Sequence, residues 1–172
     1  FFRVDGPVTD EELMAFGCAL PTAINGQRRI GLIEAGQTVL VQGAGPVGIA
    51  AAMVASQSPA RNVIVIGGPA HRLELAKKFG ATVTIDLETT TPAERLAQVH
   101  DLTDGRGADV IVEAAGVPEA FSEGVSLLAR HGRYIISGLY SGQREIPFNP
   151  VSLTAKSATI IGNLGSRPLV GL

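Results

Sequence analysis

Six short apolar runs, each four to seven residues long, punctuate the chain at Val39–Gln42, Asn62–Ile66, Thr82–Ile85, Ala108–Glu113, Arg133–Ser137 and Ala158–Leu164. Runs of that length, bounded by Gly, Pro or polar residues, predict buried strands. The stretches between them carry helical signals instead. Pro46 opens an apolar helix through Ile49–Ala55, and Ala70–Phe79 places Leu73, Leu75, Ala76 and Phe79 at helical spacing before Gly80 stops it. Thr91-Pro92-Ala93-Glu94 is a capping box with Pro at the first position, starting a helix to about Leu102. Pro118 opens the next helix, expected to end at His131-Gly132, and Asn149-Pro150 starts a short one to about Lys156. Upstream, a second capping box at Thr9–Glu12 leads towards Phe16, and Pro21 is expected to begin a helix to Ile30 or Leu32. Phe1–Pro7 reads as extended. Strands alternating with helices predict an α/β fold, a doubly wound parallel six-stranded sheet with right-handed crossovers.

The first strand runs directly into Gly43, Gly45 and Gly48, and the helix follows at once. In that context G-x-G-x-x-G carries a mechanism. Gly43 permits the tight turn, Gly45 lets a pyrophosphate approach the backbone, and Gly48 allows close helix packing. Free N–H groups and the helix dipole then make an anion site. Glycines also serve ordinary turns, and it is the repeated strand–helix alternation that turns the reading towards a dinucleotide.

Composition narrows the class without naming a chemistry. With 172 residues, 45% hydrophobic and 17% charged, the chain supports a single globular core. A net charge of -2 gives no reason to expect nucleic acid. The longest apolar run, around 43–55, is too short and too glycine-rich to cross a membrane. No signal peptide is evident, so the cytoplasm is the expected location. One cysteine, Cys18, excludes an internal disulfide framework.

Several segments in this order resemble the nucleotide-binding (Rossmann) domain of the zinc-type medium-chain alcohol dehydrogenases. They are Gly17-Cys18-Ala-Leu-Pro-Thr22, Val39 through Gly48, Leu75 through Ala81, Gly105 through Gly116, and Ile160 through Gly165. The resemblance implies hydride transfer between an alcohol and the nicotinamide of NAD(P), with zinc on a second domain. It divides the chain into a connecting segment, residues 1–32, and a dinucleotide-binding domain, residues 33–172, with the catalytic zinc domain absent. It also implies roles residue by residue. Gly43, Gly45, Pro46, Val47 and Gly48 hold the pyrophosphate and back the nicotinamide, and Ala115 and Gly116 lie near the adenosine. Gly138, Leu139 and the backbone around Asn163 line the nicotinamide end, and Thr22 packs behind its ring. A homodimer through the last strand is implied too, and the apolar edge strand by itself invites such pairing.

Cys18 sits where the family places a third zinc ligand; a small buried thiol beneath a helix is the competing reading. Residues 35–73 contain no Asp or Glu, although NAD sites ordinarily place a carboxylate about 20 residues after the glycines. Gly67 occupies that place, followed by Gly68, and His71 and Arg72 offer positive charge to a 2′-phosphate. The expectation is therefore NAD(P) with a slight lean to NADP, against the alternative that Arg72 is only a solvated first-turn residue. Glu113 is expected to hydrogen-bond backbone or substrate-domain groups at a strand end rather than act in catalysis. His100 and His131 read as structural, the latter at a helix C-terminus, Arg106 as turn chemistry, and Tyr140 as a minor candidate at the cofactor's edge. Catalytic residues and the substrate are not legible.

Three other functions remain open at this point. A zinc-free quinone or enoyl reductase of the same superfamily is one, though Cys18 in Gly-Cys-x-x-x-Thr argues against it. A methyltransferase also begins with a glycine loop but wants an acid at the second strand's end. A non-catalytic nucleotide sensor could use the same domain.

Overall fold

A computed structural model describes residues 6, 7, 9–140 and 145–165. Most of the extended stretch expected at Phe1–Pro7 therefore lies outside the described residues. In chain order the elements are α1 (Asp10–Phe16), α2 (Ala19–Ile30), β1 (Thr38–Gln42), α3 (Pro46–Ser56), β2 (Asn62–Gly67) and α4 (Ala70–Lys78). There follow β3 (Val83–Asp86), α5 (Pro92–Leu102), β4 (Ala108–Glu113), α6 (Pro118–Leu127), β5 (Leu128–Ile136), α7 (Val151–Thr154) and β6 (Thr159–Gly162). The strands form one six-stranded sheet in the order β3-β2-β1-β4-β5-β6. All five pairings are parallel. The order reverses between β1 and β4, so their carboxyl ends open the crevice where such sheets bind ligands.

Strand alternation sorts the core into two layers. Val39, Val41, Val63, Val65, Val110 and Val112 face α3 and its neighbours. Leu40, Ile64, Ile66 and Ile111 face the opposite way, towards Phe121, Val125 and Tyr134. Ala50, Ala51, Ala52 and Ala55 fill the inner side of α3. Small residues on both surfaces let this helix lie close to the sheet, which brings its N-terminus down to the glycine loop.

Besides α7 ending at Thr154 and β6 spanning only Thr159–Gly162, two helix boundaries differ from the expectation. α2 starts at Ala19, with Pro21 inside its first turn, rather than at Pro21. α6 stops at Leu127 instead of His131-Gly132, and Leu128 is already extended with ψ 134. Leu128 and Ala129 read equally well as a last helical turn, but they are buried in the strand layer. Leu128 pairs with Ala108. The Lys156 ammonium closes the helix end, donating to the carbonyls of Val125 (2.7 Å), Ser126 (2.9 Å) and Leu128 (2.5 Å). Burial pushes its pKa below the ordinary lysine value. His131 consequently lies within β5, at φ 60, and not at a helix C-terminus. No described helix is long and apolar enough to cross a membrane.

Candidate functional site

β1 delivers the chain to Gly43, where φ is 109 and the N–H donates to the Ile66 carbonyl at 2.8 Å. A side chain at Gly43 is excluded twice, by that dihedral and by the Ala114 carbonyl carbon, 3.0 Å from an added Cβ. Gly48 is held by proximity alone: an added Cβ would collide with the Gly43 carbonyl oxygen. Gly45 differs from both. It caps α3 at an ordinary φ of -78, and an added Cβ would meet nothing within 4 Å. The space above it is open.

That space belongs to a cleft of about 430 Å³, lined among others by Gly43, Gly45, Ile66, Gly67, Arg72 and Ala115. No side chain caps α3, and Pro46 occupies its first turn. The free N–H groups and positive end of the helix therefore face a ready anion site. Gly45 is the one motif glycine whose Cβ space is vacant, so the residues present leave room for a phosphate group at its backbone.

Across the cleft, the Ala114–Gly116 turn is fixed by Glu113, which is fully buried at the end of β4. Its Oε1 accepts from the N–H groups of Ala115 (2.7 Å) and Gly116 (2.6 Å). The expected backbone role of this carboxylate is thus the observed one. Gly116 abuts the Leu139 backbone, with an added Cβ 2.7 Å from the Leu139 carbonyl oxygen, and Gly138 presses against Glu113 Oε2. Tyr140 Oη and Glu113 Oε2 are buried and have no hydrogen-bond partner among the described residues. Burial first, and then the Glu113 charge, push the Tyr140 hydroxyl above the ordinary tyrosine pKa.

A second cluster joins α2 to the end of β6. Asn163 is buried, and its amide donates to the Thr22 carbonyl (3.1 Å) and Ser137 Oγ (3.0 Å) while accepting from Asn25 (2.7 Å). Thr22 is buried, one turn after Cys18, whose Sγ lies 4.0 Å from Thr22 Oγ1. Val47, Gly26 and Ser137 border a small recess on the same side. The Asn163 side chain and the Thr22 carbonyl, 141 positions apart, were not legible as partners in the sequence.

Cys18 itself is exposed at the N-terminus of α2 and not buried beneath a helix of this chain. Among the described residues no group of three or more His, Cys, Asp or Glu side chains is arranged to hold a metal. Zinc therefore does not fit within these residues alone.

The acid-free end of β2 has a steric cause. An added Cβ at Gly67 would lie 2.8 Å from both the Cβ and the N of Ala44, so the glycine loop occupies the space of the missing side chain. Of the two basic residues expected there, Arg72 borders both the cleft and a neighbouring apolar hollow, whereas His71 borders the hollow, with Leu20, Ile49 and Met53, and not the cleft.

Comparison with known proteins gives a consistent set of relatives. Residues 46–169 match the model of a zinc-binding dehydrogenase family. The chain is 45% identical to 5-exo-hydroxycamphor dehydrogenase of Pseudomonas putida over 98% of its own length and 46% of that protein's. It is 40% identical to L-threonine 3-dehydrogenase of Pyrococcus horikoshii, covering 76% of this chain and 36% of that protein. The solved alcohol dehydrogenase of Thermotoga maritima superimposes with a TM-score of 0.88 and 37% identity, over 95% of this chain and 45% of that one. A zinc-binding dehydrogenase from Sinorhizobium meliloti, solved bound to NADP, gives 0.80 and 28%, over 88% of this chain and 44% of that one. The chain spans less than half the length of these relatives.

Proposed function

The chain belongs to the zinc-binding dehydrogenase family, and from that premise we propose that it is the NAD(P)-binding part of an alcohol dehydrogenase-like oxidoreductase. The observation that carries this reading is the vacant Cβ space of Gly45 between β1 and α3, opening on the cleft at the sheet's point of reversal. When bound, the nicotinamide would give or take hydride at its C4. The chain's own residues bind and orient. Backbone N–H groups at the start of α3 receive the pyrophosphate. Glu113 holds Ala115 and Gly116 as a rigid wall of the adenosine cleft. The cluster of Thr22, Asn163 and Ser137, with Gly138 and Leu139 beside Gly116, supports the nicotinamide end.

Residues 1–32 are proposed as a connecting segment and 33–172 as the binding domain. Exposed Cys18 is proposed as one zinc ligand of a site whose other ligands lie outside these residues. The cofactor reading leans slightly to NADP, supported by Gly67 and by Arg72 on the cleft wall. A small alcohol or carbonyl compound is the proposed substrate class.

Calorimetric titration with NAD and NADP, paired with a zinc-supplemented alcohol oxidation assay on the same preparation, tests the reading. The expected outcome is cofactor binding without turnover by these residues alone. Absence of binding would overturn the dinucleotide assignment, and robust zinc-dependent turnover would overturn the assignment of zinc ligands elsewhere.

A further inference from the structure

Ala44 closes the end of β2 to an acidic side chain, but the neighbouring strand brings one to the same place. β3 pairs with β2 so that Asp86 lies opposite Gly67. The Leu87 N–H continues the ladder by donating to the Gly67 carbonyl at 2.8 Å. Asp86 Oδ1 accepts from the Glu88 N–H at 2.8 Å and is committed to that turn. The turn sets Glu88 against Gly68: a Cβ built at Gly68 would lie 3.5 Å from both Cγ and Oε1 of Glu88. Gly68 and Leu87 both line the cleft, and Glu88 stands beside them, next to Gly68. Glu88 is exposed, and its carboxylate makes no hydrogen bond or ion pair among the described residues. Arg72 faces the same cleft from the first turn of α4.

On the dinucleotide reading above, we propose that Glu88 is the ribose-side carboxylate of this cleft and sets its discrimination between NAD and NADP. The carboxylate accepts from the adenine ribose hydroxyls and repels a 2′-phosphate, whereas Arg72 attracts that phosphate. Glu88 and Arg72 oppose each other at the Gly67–Gly68 end of a cleft whose lining also carries Glu119 and the Arg95–Glu123 pair, and Glu88 keeps the lean towards NADP small. An acid arriving from β3 escapes a motif search, because it follows the glycines by about 40 residues rather than the usual 20 or so.

Titration of the whole chain with NAD and NADP, in wild type, Glu88→Gln, Glu88→Lys and Arg72→Ala, tests the proposal. Glu88→Gln should lower the ratio Kd(NADP)/Kd(NAD) about fivefold, the size expected for one exposed charge. Glu88→Lys should lower it further, and Arg72→Ala should raise it. The shift should shrink as salt is added, because the interaction is between exposed charges. Both cofactors binding at a ratio that neither Glu88 variant moves would overturn this proposal alone. Failure of the wild type to bind either cofactor would overturn the dinucleotide reading and this proposal with it.

Discussion

At the scale of single residues, the three motif glycines divide by what surrounds their missing side chains. Gly43 and Gly48 are required by the protein's own backbone, and substitution at either disturbs the loop before any ligand arrives. Gly45 is required by nothing in the chain itself, since its dihedral is ordinary and its Cβ space vacant. Gly45→Val should therefore fold and unfold like the wild type while losing at least about tenfold in cofactor affinity, about 1.4 kcal/mol. Thermal unfolding and calorimetric titration measure the two properties separately. A variant that folds and retains full affinity would remove the pyrophosphate from this loop. The motif assigns the turn to Gly43, the pyrophosphate approach to Gly45 and helix packing to Gly48, and the neighbours of Gly43 and Gly48 show the two backbone roles.

At the scale of elements, the junction of α6 and β5 shows how a tertiary contact overrides local preference. Serine, leucine and alanine around position 127 can prolong a helix, and no Gly or Pro intervenes before Gly132. Pairing of Leu128 with β4 draws these residues into the sheet, and Lys156 from beyond α7 satisfies the carbonyls left open. Lys156→Met retains the apolar stem but removes all three donors. The expected cost is about 1–2 kcal/mol of stability, read as a lower midpoint in chemical denaturation with cofactor affinity largely kept. The capping boxes behaved otherwise. Thr91 and Glu94 bond each other's N–H groups as their four-residue pattern predicts, because every partner lies within one turn.

At the scale of the whole molecule, β6 leaves one side of the sheet unpaired among the described residues, with Thr159, Ile160 and Gly162 exposed. Exposed strand edges pair readily, and a two-fold axis beside β6 would continue the sheet into a second copy. A dimer joined there is the expected state. Light scattering across a wide concentration range measures it, and Ile160→Lys should shift the population towards monomer. A monomer at every concentration would count against it.

The sequence by itself determined what depends on short spacing. Strand and helix alternation, the parallel sheet, the glycine turn and the capped helices all follow from residues within a few positions of one another. Even the backbone role of Glu113 was legible, because a strand-end carboxylate finds N–H groups two and three residues on. The tertiary structure decided what depends on strands meeting side by side. It fills the place of the β2 acid with Ala44, brings Glu88 to the same end from β3, and leaves Arg72 but not His71 on the cleft wall. It also joins Asn163 to Thr22 across the chain and exposes Cys18. Those relations are set by the register of parallel strands and the close approach of an alanine-faced helix. Neither is written in the local pattern, because parallel neighbours are joined by long crossovers rather than by turns.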